Sequence, residues 1–111
     1  MKDCLFCKII GGEIKSNIVF ESENVIAFED INPQARLHFL FIHRSHSNNV
    51  NEMSSNEVGD VFAAVSEFTK ANELSKNGFR VVTNTGVHGC QSVFHTHFHI
   101  LGGEQLSGFG S

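Results

Sequence analysis

Three histidines, His95, His97 and His99, fall at alternate positions in Phe94-His95-Thr96-His97-Phe98-His99-Ile100-Leu101. Successive side chains of a β-strand point to opposite faces. The spacing therefore predicts a strand with imidazoles on one face and Phe94, Thr96, Phe98 and Ile100 on the other. The interleaved residues are apolar or β-branched, as a buried strand face requires. On a helix the same histidines would fan out by about 200° per two-residue step and form no common surface. A row of imidazoles that titrate near neutral pH suits nucleophilic, acid–base or metal chemistry. The bland alternative is a half-exposed strand with solvated histidines, but three of the chain's seven histidines in five residues is an unusual concentration. A catalytic metal held by all three is disfavoured by geometry. On one straight strand they span about 13 Å, too far for each to reach one ion at ~2 Å.

The residues ahead of that strand, Asn84-Thr85-Gly86-Val87-His88-Gly89-Cys90-Gln91-Ser92, form a polar loop containing glycine. Small residues let backbone N–H groups approach an anion closely, and the Ser92 hydroxyl adds a donor. A phosphate placed where this loop meets the imidazoles could be attacked at phosphorus by a neutral imidazole, with neighbouring groups holding the charge. Far upstream, Cys4 and Cys7 form a C-x-x-C pair, which in a reducing compartment points to metal or redox chemistry sooner than to a structural disulfide. The alternative is that both are small apolar fillers on a short helix. Cys90 reads as a loop thiol without chemistry of its own, and His43 and His88 as surface residues.

Patterning predicts the elements that must position these groups. Cys4 to Ile10 forms a short helical turn closed by Gly11-Gly12, with Cys4 and Cys7 on one face. Asn17–Glu21 and Asn24–Glu29 read as strands joined by a tight turn at Ser22-Glu23. Asn32-Pro33 breaks the chain before a dense apolar strand, Leu37–Ile42. Ser54–Lys76 is predicted as one long helix. Its apolar stripe is Val58, Val61, Phe62, Val65 and Phe68, Ser54-x-x-Glu57 is a capping box at its start, and Asn77-Gly78 closes it. Phe79–Asn84 is a further strand, and Gly102–Ser111 an extended tail. Short turns between consecutive strands favour an antiparallel sheet with helices packed on it, an α+β class with five strands, one long helix and one short one. There is no G-x-G-x-x-G and no strand–helix alternation of the dinucleotide-binding kind.

The bulk properties bound the function. At 111 residues the chain is predicted to be a single domain, 1–111. A net charge of −4 argues against polymeric nucleic acid as a partner, though not against a single nucleotide. No apolar run approaches the ~20 residues that span a bilayer. Met1-Lys2-Asp3-Cys4 does not have the shape of a signal peptide, so the expected location is cytoplasmic, with no membrane partner.

The sequence resembles the histidine triad family, and within it the Hint branch of nucleoside phosphoramidate hydrolases. The resemblance rests on Gln91-Ser92-Val93-Phe94-His95-Thr96-His97-Phe98-His99-Ile100-Leu101-Gly102-Gly103, on Cys4-Leu5-Phe6-Cys7-Lys8-Ile9-Ile10, on Phe28-Glu29-Asp30-Ile31-Asn32-Pro33-Gln34-Ala35 and on His38-Phe39-Leu40, four blocks in the family's order and spacing. It implies a five-stranded antiparallel sheet with two helices, continued across a homodimer into ten strands. It implies cleavage of the P–N bond of adenosine phosphoramidates, with AMP carried on a histidine, and no organic cofactor. His97 would be the nucleophile. His99 would bind the α-phosphate and move a proton to the leaving amine, and His38 would orient the nucleophile's other ring nitrogen. Asp30 would take the ribose hydroxyls, and Ile31 would line the base or sugar pocket. Asn84 and the Cys90-Gln91-Ser92 backbone and hydroxyl would hold the phosphate. Some bacterial members resemble the set Cys4, Cys7, His46 and His95 and bind structural zinc with it. The chain departs from the family at Cys90, where glycine is usual, at Glu104, where a basic residue is frequent, and in a tail without Trp. A second implied function is a nucleotide sensor or scaffold with little turnover.

Overall fold

The strand Leu37–His43 (β3) sets the plan of the molecule, because its alternating side chains serve two different layers. In this computed structural model, which describes residues 3–109, Phe39 and Phe41 point into one core and Leu40 and Ile42 into another. The remaining elements are α1 (Leu5–Ile10), β1 (Ile18–Glu21), β2 (Val25–Glu29), α2 (Ser55–Ala71), α3 (Leu74–Asn77), β4 (Phe79–Val82) and β5 (Phe98–Gly102), with a 3-10 turn at Val50–Glu52 before α2. The strands make one five-stranded sheet in the order β1-β2-β3-β5-β4, every neighbouring pair antiparallel. That is the α+β architecture expected.

The two faces of the sheet do different work. Val25, Ala27, Phe39, Phe41, Phe98 and Ile100 bury themselves against Val61, Ala64, Val65 and Phe68 of α2. Ile26, Phe28, Leu40 and Ile42 face Phe6 and Ile9 of α1. In the β3–β5 ladder His99 lies opposite Leu40 and Leu101 opposite His38, so both histidines belong to the α1 face. Burial of the apolar residues on both faces is the main stabilising term. No helix among the described residues is long and apolar enough to cross a membrane.

Four sequence expectations change. The histidine strand starts later than alternation predicts: β5 begins at Phe98, and residues 93–95 are a bend. Thr96 donates its amide to Ser47 O at 2.8 Å rather than to a sheet neighbour, so His95 and His97 lie on backbone outside the ladder. Phe94, expected on the greasy face, is 56% exposed. The single helix 54–76 is in fact two helices. Its start keeps the capping box of Ser54 and Glu57, but Asn72 turns its amide and its side-chain Nδ2 onto Phe68 O, and Glu73 takes a left-handed φ of 62°. The left-handed turn at Glu73 ends α2 and lets Leu74 drop into the core. On the apolar stripe Phe62 stays half-exposed, although its ring packs edge-on against Phe98.

Ile100 is fully buried between the α2 face and its strand neighbours. Ile100→Ala should cost about 2–5 kcal/mol of stability, read as a lower urea midpoint with an unchanged denaturant slope.

Candidate active site and metal centre

Four histidines are buried, His38, His43, His95 and His97, and each has one ring nitrogen on a main-chain group. A carbonyl can only accept and an amide N–H can only donate, so these contacts assign the ring protons. The Gln34 amide donates to Nδ1 of His38 at 2.9 Å, which leaves the proton on His38 Nε2. That Nε2–H faces His99 Nδ1 at 2.8 Å and Asp30 Oδ2 at 3.4 Å. His99 Nδ1 therefore accepts, and its proton sits on Nε2. His97 donates its Nδ1–H to the His95 carbonyl at 2.8 Å, so its Nε2 carries a lone pair. The rings of His97 and His99 stand edge to face, 5.0 Å apart. The result is one imidazole with a free lone pair beside another with a free N–H, the pairing that nucleophilic attack with proton donation requires.

Burial keeps this row uncharged. Desolvation lowers His97 below the ordinary imidazole value against the opposing pull of the His95 carbonyl and Asp30. It lowers His38 against the field of Asp30. His99 is pushed down to about 4, by desolvation first and then by His97 and His38. Asp30, His38 and His99 lie close enough to suggest a metal site. The tautomers make it a hydrogen-bond relay instead, because the proton on His38 Nε2 already occupies the position between the three side chains.

Several expected roles change on the geometry. His38 does not orient the other nitrogen of His97; that nitrogen is held by the His95 carbonyl, while His38 holds His99. Asp30 is pinned by the Asn32 amide on Oδ1 at 2.8 Å, and Ile31 beside it is 89% exposed. In the polar loop, the Cys90 and Gln91 amides are spent on Val87 O and Gly86 O. Asn84 Nδ2 donates to Gly89 O at 2.7 Å, and the Gln91 side chain bridges Gly86, Asn48 and Val93. These residues shape the loop, and among the described residues only Ser92 of the set keeps its hydroxyl and amide without a protein partner. Cys90 has a φ of 63°, a left-handed conformation in which glycine carries no Cβ penalty. Glu104 accepts the Arg36 amide at 2.6 Å and so ties the tail to the start of β3.

His43, expected at the surface, is 7% exposed. Asp60 of α2 accepts from its Nε2 at 3.0 Å, and the Ser45 amide holds its Nδ1. The helix covers this end of β3, which alternation along the strand could not show. His88 is exposed, as expected. Phe6, which no motif singled out, sets its ring edge-on to His97 with centroids 5.1 Å apart.

The second cluster is Cys4, Cys7, His46 and His95, whose ligand atoms all lie within 4.8 Å of one another. His95 Nδ1 is 3.2 Å from Cys4 Sγ, 3.4 Å from Cys7 Sγ and 3.1 Å from His46 Nδ1, and Cys7 Sγ is 3.4 Å from His46 Nδ1. With Zn–S near 2.3 Å and Zn–N near 2.0–2.1 Å, the edges of a tetrahedron run about 3.3–3.8 Å, close to these values. His95 donates Nε2–H to His43 O, and His46 donates Nε2–H to Asn48 Oδ1. Two Nδ1 lone pairs therefore face each other, which a cation between them satisfies, and the outer contacts are those that orient histidine ligands. The donor set fits structural zinc.

Comparison with known proteins places these observations. Residues 11–106 match the family model of the HIT domain. The chain is 36% identical to the purine nucleoside phosphoramidase of Escherichia coli K12 over 95% of its own length and 91% of that protein. It is 41% identical to a 14 kDa zinc-binding protein of Zea mays, over 93% and 84% of the two chains. A HIT family hydrolase from Clostridium thermocellum superposes with a TM-score of 0.93 at 38% identity, covering all of this chain and 99% of the other.

Two outcomes follow from the site. Cys90→Gly should raise stability by about 0.5–1 kcal/mol, the left-handed strain relieved less the entropy that glycine adds to the unfolded chain; chemical denaturation measures it. His99 and His38 bind protons less readily folded than unfolded. Their contribution is thus fully present above the ordinary imidazole value and is lost as pH falls from there toward about 4. The urea midpoint of His99→Asn should accordingly vary less than that of the parent between pH 7 and pH 4.5.

Proposed function

The chain belongs to the HIT family, and from that premise we propose that it is a cytoplasmic hydrolase that cleaves the P–N bond of adenosine 5'-phosphoramidates through a nucleotidyl-histidine. The observation that carries this reading is the tautomer pair: a lone pair on His97 Nε2 beside a proton on His99 Nε2. As substrate binds, His99 takes a proton from solvent; in the first step His97 Nε2 then attacks the α-phosphorus, the P–N bond breaks, and the leaving nitrogen takes the Nε2 proton of this imidazolium, which leaves His99 neutral. In the second, water gives its proton back to His99 and its oxygen to phosphorus, which frees AMP and restores both rings. His38 passes the effect of Asp30 to His99 and keeps its Nδ1 an acceptor. The phosphoramidate's negative charge supports proton uptake by His99, which burial alone opposes.

The remaining contacts are assigned in the same spirit. Asp30, fixed by the Asn32 amide, takes the ribose hydroxyls, and the exposed Ile31 side chain covers the base or sugar. Ser92 donates to the phosphate from a loop that Asn84, Cys90 and Gln91 hold in shape. Cys4, Cys7, His46 and His95 hold zinc, which when bound supplies a structural cross-link between α1 and the histidine segment. Two thiols directed into one cluster suit a reducing compartment. The outer edge of β4 ends the sheet, and pairing of two such edges gives the ten-stranded homodimer.

The test is mass spectrometry of protein quenched without acid during turnover of an adenosine phosphoramidate. An adduct of one AMP is expected on the parent chain and none on His97→Ala, whose rate should fall by at least about 10³-fold. Turnover at the parent rate by His97→Ala would refute the mechanism, and AMP binding without any turnover would favour a sensor.

A further inference from the structure

The backbone that carries His97 is not held by the sheet. β5 begins one residue later, and the two residues before His97 are fixed by other means. His95 is 1% exposed and is gripped at both ring nitrogens, Nδ1 in the cysteine–histidine cluster and Nε2 on His43 O. Its carbonyl is the group that accepts the His97 Nδ1–H. Residue 95 is thus a pivot: its side chain belongs to the cluster, and its main chain sets which nitrogen of His97 is free.

A second contact leads from the same cluster to the same ring. Phe6 lies between Cys4 and Cys7 on α1, a helix of six residues, far below the length that is stable alone in water. Cys4 caps it by accepting the Cys7 amide on Sγ at 3.2 Å, and both thiols reach toward His95 and His46. The Phe6 ring meets His97 at an interplanar angle of 89° and is backed by Phe28 at 5.5 Å. Closing the four ligands on one ion therefore fixes two partners of His97 together, the carbonyl along its Nδ1–H and the aromatic ring against it. His99 has its own support in His38 on β3, outside this assembly.

We infer that the Cys4–Cys7–His46–His95 cluster is a positioning device for His97: metal binding there sets the tautomer and the orientation of that imidazole through the His95 carbonyl and Phe6, while the tautomer of His99 stays set by His38. Phe6 is a positioning residue, in contact with the ring that reacts. The inference rests on His97 as the nucleophile only for its effect on rate; the effect on the ring itself does not depend on that role. A cavity of about 460 Å³ lined by Cys4, His46, Asn48, Ser92 and Phe94 opens on one side of the cluster.

Imidazole ¹⁵N spectra of the chain, loaded with equimolar zinc chloride and then stripped by a chelator, make the test. Loaded, His97 should show a single Nδ1–H tautomer. Stripped, its two nitrogens should move toward the averaged values of a mixed population, while His38 and His99 each keep a single Nε2–H tautomer. His97 signals that coincide in the two states would overturn the inference. Should stripping unfold the chain, zinc-loaded Phe6→Leu decides. It should keep its zinc, lower kcat about tenfold with KM within about twofold, and displace the His97 nitrogens. A Phe6→Leu protein with lowered stability but parental kcat and parental His97 signals would show a packing role alone and overturn the inference. If the parent chain hydrolyses no phosphoramidate, the proposed activity fails by itself, and the nitrogen spectra still decide the positioning.

Discussion

An imidazole buried without a charge has two tautomers, and only one of them suits a given set of neighbours. In this protein the main chain makes that choice four times. The amides of Gln34 and Ser45 sit on Nδ1 of His38 and His43, and the carbonyls of His43 and His95 accept from His95 and His97. Backbone groups cannot change their donor or acceptor character, so each favours one tautomer for as long as the ring stays against it. The lone pair on His97, the proton on His99 and the His95 Nδ1 turned toward the thiols follow from that choice, while the His46 Nδ1 is turned the same way by the Asn48 side chain. Burial supplies the other half by lowering the proton affinity of His38, His97 and His99, so that the rings remain neutral and the tautomers matter.

The sheet separates stability from chemistry. One face is closed by α2 with a core of aliphatic and aromatic side chains, and it can be rigid because nothing has to enter it. The other face carries α1, a smaller core and the histidines. β3 and β5 run through both, and their alternation sends Phe39, Phe41, Phe98 and Ile100 to one side and His38 and His99 to the other. A shift of one residue in the β3–β5 register would exchange these sets. Core packing on the α2 face therefore also fixes the histidines on the α1 face.

His95 joins the two chemistries. Its ring is a cluster ligand atom and its carbonyl is the partner of His97. This explains why the first histidine of the row is the most deeply buried of the three. It also gives α1 a purpose beyond covering the sheet, since its two cysteines meet His95 and its Phe6 meets His97.

Much of this was legible in the residues alone. Apolar runs bounded by turn residues located β1, β2 and β3, the capping box located the start of α2, and four motif blocks pointed to the HIT family, because each is a local signal that burial or backbone geometry imposes directly. The ligand set Cys4, Cys7, His46 and His95 was named through that resemblance, and its convergence is a fact of the fold. What the sequence did not contain is where regularity stops. Alternation continues through His95 and His97, but the ladder does not, since Thr96 finds Ser47 across space. Helical periodicity passes Asn72, but burial of Leu74 needs the chain to turn there. His43 looked like a surface residue until α2 was laid over it. The tautomers were least visible of all, because they depend on main-chain groups of residues such as Gln34, whose identity says nothing about where their amides point. Sequence specified the side chains that do chemistry; the tertiary structure decided which of their nitrogens are free to do it.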